Sequence, residues 1–238
     1  VTGEFAVWVY LSRTPLLWLT VTLMAYVVAD RIATATNRHP LANPVLIAIA
    51  ITACILKLTE TPYATYFEGA QFVHFLLGPA TVVLAIPLYE YRATVVRSLV
   101  PMLAALLVGS VVALASALIL ASALGIPRDV IVSIAPKSVT TGVAMGIAQT
   151  LGGDPTLAAV IVMLTGMTGG ILVTPLMNVL RIRDMRARGF AAGLAAHGVG
   201  TARAFQVNEV AGAFAGIALG LNAFVTAILA PVAVTFLR

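Results

Sequence analysis

The chain is 238 residues long, 61% apolar and only 10% charged, with a mean hydropathy of +1.03 and a formal net charge of +5. Soluble domains run near 45–50% apolar and about 25% charged, so this composition excludes a soluble enzyme, a disordered tail and a nucleic-acid module. Of the 14 basic residues only Lys57 and Lys137 are lysines, and most of the arginines lie in short stretches between apolar runs, as cytoplasmic anchors do.

A helix needs about 20 apolar residues to cross ~30 Å of hydrocarbon. Residues 14–29 form a first apolar run, which residues 5–11 extend upstream. No secretory signal is read in residues 1–13, so this run is expected to remain as a span. Residues 41–56 form a second run, and its Cys54, the one cysteine, excludes an intramolecular disulfide. Residues 69–89 form a third run, with His74, Pro79 and Pro87 inside it. Residues 98–124 are a long, clean fourth. Residues 138–151 are short, rich in Thr and Gly, and follow Pro136-Lys137. Residues 155–180 are long, with Gly166, Gly169 and Gly170 at their centre. Residues 190–200 are short and rich in small residues, and residues 210–237 close the chain. None of these runs alternates polar and apolar residues as the strands of a membrane barrel do. The expected fold is all-α: a polytopic transmembrane helical bundle with interrupted or re-entrant helices.

Basic residues in short loops set orientation. Arg181, Arg183, Arg186 and Arg188 form the densest cluster and are assigned to the cytoplasm, with Arg31, Arg38, Arg92 and Arg97 on the same side. An even number of crossings must then separate Arg97 from Arg181. Residues 98–124 and 155–180 meet that requirement if residues 131–151 re-enter; if they cross, another assignment fails. Residues 77–86 also align with residues 134–143, both carrying Pro, any residue, Thr or Ser, then Val, at an offset of 57. Paired Pro- or Gly-interrupted apolar segments are the best sequence pointer to a transporter binding site. The chain is read as a single membrane domain over 1–238. Residues 1–68 are scaffold spans. Residues 69–238 are expected to form a transport core, interrupted near 76–87, 131–151 and 190–206.

Ionisable side chains inside spans are expensive and mark function by default. Lys137 is the leading candidate. Pro136 suits the first turn of a helix, so a helix is expected to begin here, its free N–H groups and positive dipole end facing an anion. Lys137, Ser138, Thr140 and Thr141 then supply a cation and three hydroxyls, with Lys137 and Thr141 on one face. That set suits a small oxyanion, most simply a carboxylate. Pro79 and Thr81, at the matching places of the internal similarity, join it. The bland alternative is a lysine snorkelling to an interface.

A second constellation runs from Ala196 to Arg203, with Glu209 following. His197 can carry a proton near neutral pH. Arg203 can hold a carboxylate bidentately and Thr201 shares a helical face with His197. His197 and Glu209 are assigned to coupling, Thr201 and Arg203 to substrate. An amphipathic interfacial segment is the bland alternative. Asn178 and Asn222 read as polar contacts between helices. Trp8, Tyr10 and Trp18 read as an interfacial belt. No metal spacing, phosphate loop or nucleophile elbow occurs, so neither a cofactor nor enzymatic activity is expected.

The blocks from Pro136 to Thr141 and from His197 to Arg203, with Ala85-Ile-Pro-Leu-Tyr-Glu90 as a third, resemble the LrgB/CidB family of bacterial inner-membrane proteins. The resemblance covers almost the whole chain. It implies one of two roles. The first is transport of small monocarboxylates such as glycolate, glycerate or pyruvate, coupled to protons or another ion, as in a similar plant plastid carrier. The alternative is holin-like or antiholin-like regulation of murein hydrolases and cell lysis, with a smaller membrane partner of the LrgA/CidA type. A homo-oligomer, most simply a dimer, is expected.

Overall fold

The computed structural model describes residues 15–39, 42–76, 79, 82–83 and 85–236. The chain divides into two compact units, Val1–Val83 and Leu84–Arg238. Every regular element among the described residues is helical. Four helices are long and apolar enough to cross a membrane: α1 (Pro15–Ala35), α6 (Leu99–Ala123), α9 (Pro155–Val179) and α11 (Glu209–Thr235). The protein is thus a polytopic α-helical membrane protein.

In the first unit α1 packs on α2 (Pro44–Leu58) and α3 (Tyr63–Phe75). Asn43 caps α2 by accepting from the Val45 N–H, with Pro44 in the first turn where its missing N–H costs nothing. Gly69 lets α3 approach α1 closely, since any Cβ there would collide with the Pro15 carbonyl. Trp18, expected in an interfacial belt, is fully buried instead and meets Tyr66 edge-on at 6.0 Å. Trp8 and Tyr10 lie outside the described residues, as do most of the residues 77–86 that carried the proposed internal similarity.

The second unit opens with the short helices α4 (Ala85–Glu90) and α5 (Arg92–Arg97). Its frame is α6, α9 and α11, and two hairpins fill it. The first hairpin joins α7 (Arg128–Ile134) to α8 (Thr141–Thr150). The backbone N–H of Asp154, just beyond α8, donates to Ser133 Oγ in the last turn of α7 at 2.7 Å. The chain therefore returns to the end from which it set out; α7, of seven residues, is about 10 Å long and α8, of ten, about 15 Å, against ~30 Å of hydrocarbon. Residues 131–151 thus form a hairpin neither of whose limbs is as long as a span. Gly152, at φ 81°, ends α8, and Asp154 caps α9 through the Thr156 and Leu157 N–H groups.

The second hairpin is α10 (Met185–Val207), broken at Ala196 (φ −123°, ψ 16°) and His197 (φ 40°, ψ −130°). A Cβ on Gly200 would collide with the Ala192 carbonyl. In an unbroken helix residues eight apart stand about 12 Å apart along the axis, so the second half folds back over the first. Gly189 and Gly193 lie against the Ala211 and Ala215 carbonyls, and Gly212 lies against Phe205. The first half thus runs alongside the start of α11 and the second half returns to it. Small residues carry this packing because apolar side chains gain nothing by leaving lipid for one another.

The hairpins come from opposite ends of the frame. Arg186 Nη1, at the root of α10, donates to Ser98 Oγ at the start of α6 (3.3 Å). The first hairpin instead follows the far end of α6. Separate cores hold them: Ile131, Val132 and Ala135 pack with Leu114, Leu118, Ala230 and Val234, while Phe190 and Leu194 pack with Met102, Leu106, Phe214 and Ala218.

Candidate functional site

The hairpin tips meet at mid-depth. Asn222 occupies the middle of α11 and Ser110 the middle of α6. Asn222 Nδ2 donates to the Ser138 carbonyl on the first tip (2.8 Å) and to the Leu194 carbonyl beside the second (3.1 Å). Its Oδ1 accepts from Ser110 Oγ at 2.7 Å and from Thr226 Oγ1 at 3.3 Å. Asn222 is 1% exposed, so these bonds replace all the water its amide has lost. The sequence reading of Asn222 as a contact between helices stands, and Asn178 bridges α9 to α10 in the same way by accepting from Arg188 Nη2 at 2.7 Å. Only the structure shows that Asn222 joins both tips.

The first tip differs from expectation in one respect. No helix starts at Pro136. Residues 135–140 form a turn and α8 begins at Thr141, with Thr140 in extended backbone (φ −66°, ψ 152°) as its cap residue. Pro136 follows the last turn of α7, where a ring without an N–H cannot continue the ladder. Lys137 therefore sits in the turn, and it shares no helical face with Thr140 or Thr141. Its ammonium donates to Ser138 Oγ at 3.4 Å, half-buried. Thr140 makes no side-chain cap bond to the first turn of α8.

At the second tip the His197 ring is buried against α9. Its Nε2 lies 2.9 Å from the Val162 carbonyl, and Gly166 is the residue whose missing side chain makes room for it. Thr201 Oγ1 donates to the His197 carbonyl at 2.8 Å, so its hydroxyl proton is spent on the break. The second half of α10 starts beyond His197, just as α8 starts beyond the first tip. Two helix amino ends, each carrying about half a positive charge, thus lie at the same depth as the Lys137 turn. An added Cβ at Gly142, Gly146 or Gly198 meets nothing within 4 Å, so open space borders both half-helices. Gly142 and Gly146 line a cavity of about 340 Å³ with Thr150, Ala227 and Pro231. Pro231 cannot donate to the Ala227 carbonyl, which leaves an acceptor in this wall.

Other expected members lie elsewhere. Arg203 is buried, but about 9 Å beyond His197 along the returning half-helix, where Nη1 donates to Gln206 Oε1 at 3.3 Å and Arg188 and Thr174 are neighbours. Glu209 is exposed in the first turn of α11, where a carboxylate suits the helix dipole. The hairpin's open end holds both, and neither joins Lys137 at the tips. Pro79 is exposed in the first unit, and Thr81 lies outside the described residues. Among the described residues no group of His, Cys, Asp and Glu is arranged to hold a metal ion.

Two short-limbed hairpins inside a frame of long apolar helices define a multi-pass membrane protein. A model of the LrgB-like family matches residues 22–236, and the chain belongs to that family. It is 38% identical to YxaC of Bacillus subtilis over 195 residues, covering 82% of this chain and 85% of that protein. It is 31% identical over 223 residues to a protein of Staphylococcus epidermidis named holin-like protein CidB, covering 94% and 96% of the two chains. The corresponding protein of Staphylococcus aureus is 30% identical over 217 residues, covering 91% and 94%. No solved structure matches the chain.

Proposed function

We propose that the chain is a secondary carrier of small monocarboxylates, of the size of glycolate, glycerate or pyruvate, coupled to protons or another ion. One observation carries this reading: a single buried amide, that of Asn222, joins the interrupted tips of two opposed hairpins beside a half-buried lysine. Discontinuous helices whose amino ends meet near the midplane are the usual way a carrier receives an anionic group. In this reading Lys137 pairs with the carboxylate. Ser138, Thr140 and Thr141 supply hydroxyls for a substrate hydroxyl or keto oxygen. His197 carries the coupling proton. Arg203 and Glu209, nearer the basic end, are left out of the tip site.

Uptake of labelled glycolate, glycerate and pyruvate into proteoliposomes tests the reading. Saturable uptake that Lys137→Ala abolishes and Lys137→Arg partly restores is the expected result. Uptake indifferent to Lys137→Ala ends the assignment of the site.

The Staphylococcus relatives are called holin-like, which favours a second reading: in it the chain is a membrane regulator of murein hydrolases that acts with a smaller partner of the LrgA/CidA type. The names speak for this role more directly than for transport. Vesicles separate the two, because a holin-like assembly releases large solutes such as dextrans whereas a carrier retains them and saturates.

A further inference from the structure

We propose that the crevice between α6 and the first half of α10 holds an acyl chain of an anionic phospholipid, with the head-group phosphate on Arg97 and Arg186 at its mouth. The crevice has a volume of about 660 Å³, within the ordinary range for a ligand cavity. Its walls are Pro101, Met102, Ala105, Phe190, Leu194 and Phe214. Such walls offer a hydrated carboxylate nothing in exchange for its water, which sets the crevice apart from the tip site. They suit a hydrocarbon chain.

Length and charge agree. From Ser98 to Gly109 the wall that α6 gives the crevice runs about 16 Å, at 1.5 Å per residue. That is about half of a ~30 Å hydrocarbon layer, the reach of one leaflet's acyl chain. All polar and charged lining groups gather at one end: Arg97, Ser98, Asp184 and Arg186. Two guanidinium groups face one carboxylate there. Asp184 holds one edge of Arg186, whose Nη1 points to Ser98 Oγ. Arg181, Arg183 and Arg188 lie on the adjoining segment, so the mouth carries a net positive charge. Basic sites between helices at this depth take anionic head groups. The rest of the α6 surface, at Leu103, Leu107 and Val111, is apolar and exposed, with no cation at a matching place.

Native mass spectrometry of the full chain in detergent tests this. The chain is titrated with phosphatidylglycerol, with phosphatidylcholine of the same chains, and with glycerol phosphate. The expected result is one saturable phosphatidylglycerol site that glycerol phosphate does not fill. Ala105→Phe, which puts a ring into the crevice from an exposed position, should abolish it. Arg97→Gln should weaken phosphatidylglycerol about fivefold, the worth of about 1 kcal/mol per basic residue at an anionic surface, and leave phosphatidylcholine unchanged. Equal binding of the two lipids, or a site untouched by both substitutions, overturns the proposal. So does occupancy by glycerol phosphate alone, which would make the mouth a free-phosphate site. If Ala105→Phe fails to fold, Arg97→Gln alone decides between a specific site and annular lipid.

Discussion

The side-chain amide of Asn222 donates to the main-chain carbonyl of Ser138 at 2.8 Å, across 84 residues of sequence. A side chain from the middle of a spanning helix thus fixes the turn of a hairpin that stops halfway through the frame. Asn222→Leu removes that bond and three others together. Buried polar contacts in membrane proteins measure about 0.6 to 1.7 kcal/mol each, so a loss of about 2 kcal/mol is expected, with the Ser138 and Leu194 carbonyls left unpaired. Asn222→Asp keeps the acceptor towards Ser110 but sets a carboxyl oxygen against the Ser138 and Leu194 carbonyls, so it should cost at least as much as Asn222→Leu. Thermal unfolding in detergent measures both. An Asn222→Leu protein as stable as the parent would show that the tips are held by something else.

His197 sits at φ 40°, a backbone region that costs a residue with a Cβ about 1–3 kcal/mol. Its ring also fills the space left by Gly166, whose added Cβ would stand 2.5 Å from His197 Cε1. Gly166→Ala should therefore destabilise the parent by about 1–3 kcal/mol, and by much less in a His197→Gly background, where both the ring and the backbone strain are gone. A double-mutant cycle on unfolding midpoints reads the coupling. Additive effects would separate the two residues.

Glycines in the two hairpins should respond in opposite ways to one methyl group. Gly142→Ala and Gly146→Ala meet open space and should stabilise α8 by about 0.5–1 kcal/mol. Gly189→Ala and Gly193→Ala drive a methyl into the carbonyls of Ala211 and Ala215, and should cost more than that or prevent folding. Gly142→Leu should keep the fold yet fill the cavity beside the first tip, so a loss of uptake with an unchanged unfolding midpoint supports a substrate there. Retained uptake counts against it.

Asp184 lies outside the spans, and its hydrogen bond to the Arg186 side chain holds its carboxyl down to about 2, from an ordinary 3.8. A carboxyl lowered by folding stabilises the folded state above its ordinary value, and that contribution is lost as pH falls from about 4 towards about 2. Solvent keeps the effect small, because both partners are exposed. Asp184→Asn should flatten the acid limb of the stability profile over that interval. An unchanged acid limb would mean that the pair adds nothing.

The helical class, the long spans and the two interrupted segments were legible because charge-free length and Gly–Pro punctuation are local signals. Parity of the arginines left both a re-entrant and a crossing path open for residues 131–151. The α8 start was not legible: Pro136 suits the first turn of a helix and the residue just past one equally well, and here α7 comes first. Nor was the separation of Arg203 from Lys137. That depends on α10 folding back at Ala196 and His197, and a helix of small residues reads the same straight or broken. Asn222 was recognised as a polar contact, but its partners are two backbone carbonyls, which carry no residue-type signal.

Because one amide serves both tips, a hairpin that withdraws leaves its own carbonyl and one Nδ2 hydrogen of Asn222 unpaired. Pulling both away together strands the two tip carbonyls and both amide hydrogens in a medium without water, while Ser110 and Thr226 keep their bonds to Oδ1. An arrangement of this kind makes the withdrawal of both hairpins at once the costliest rearrangement of the tips.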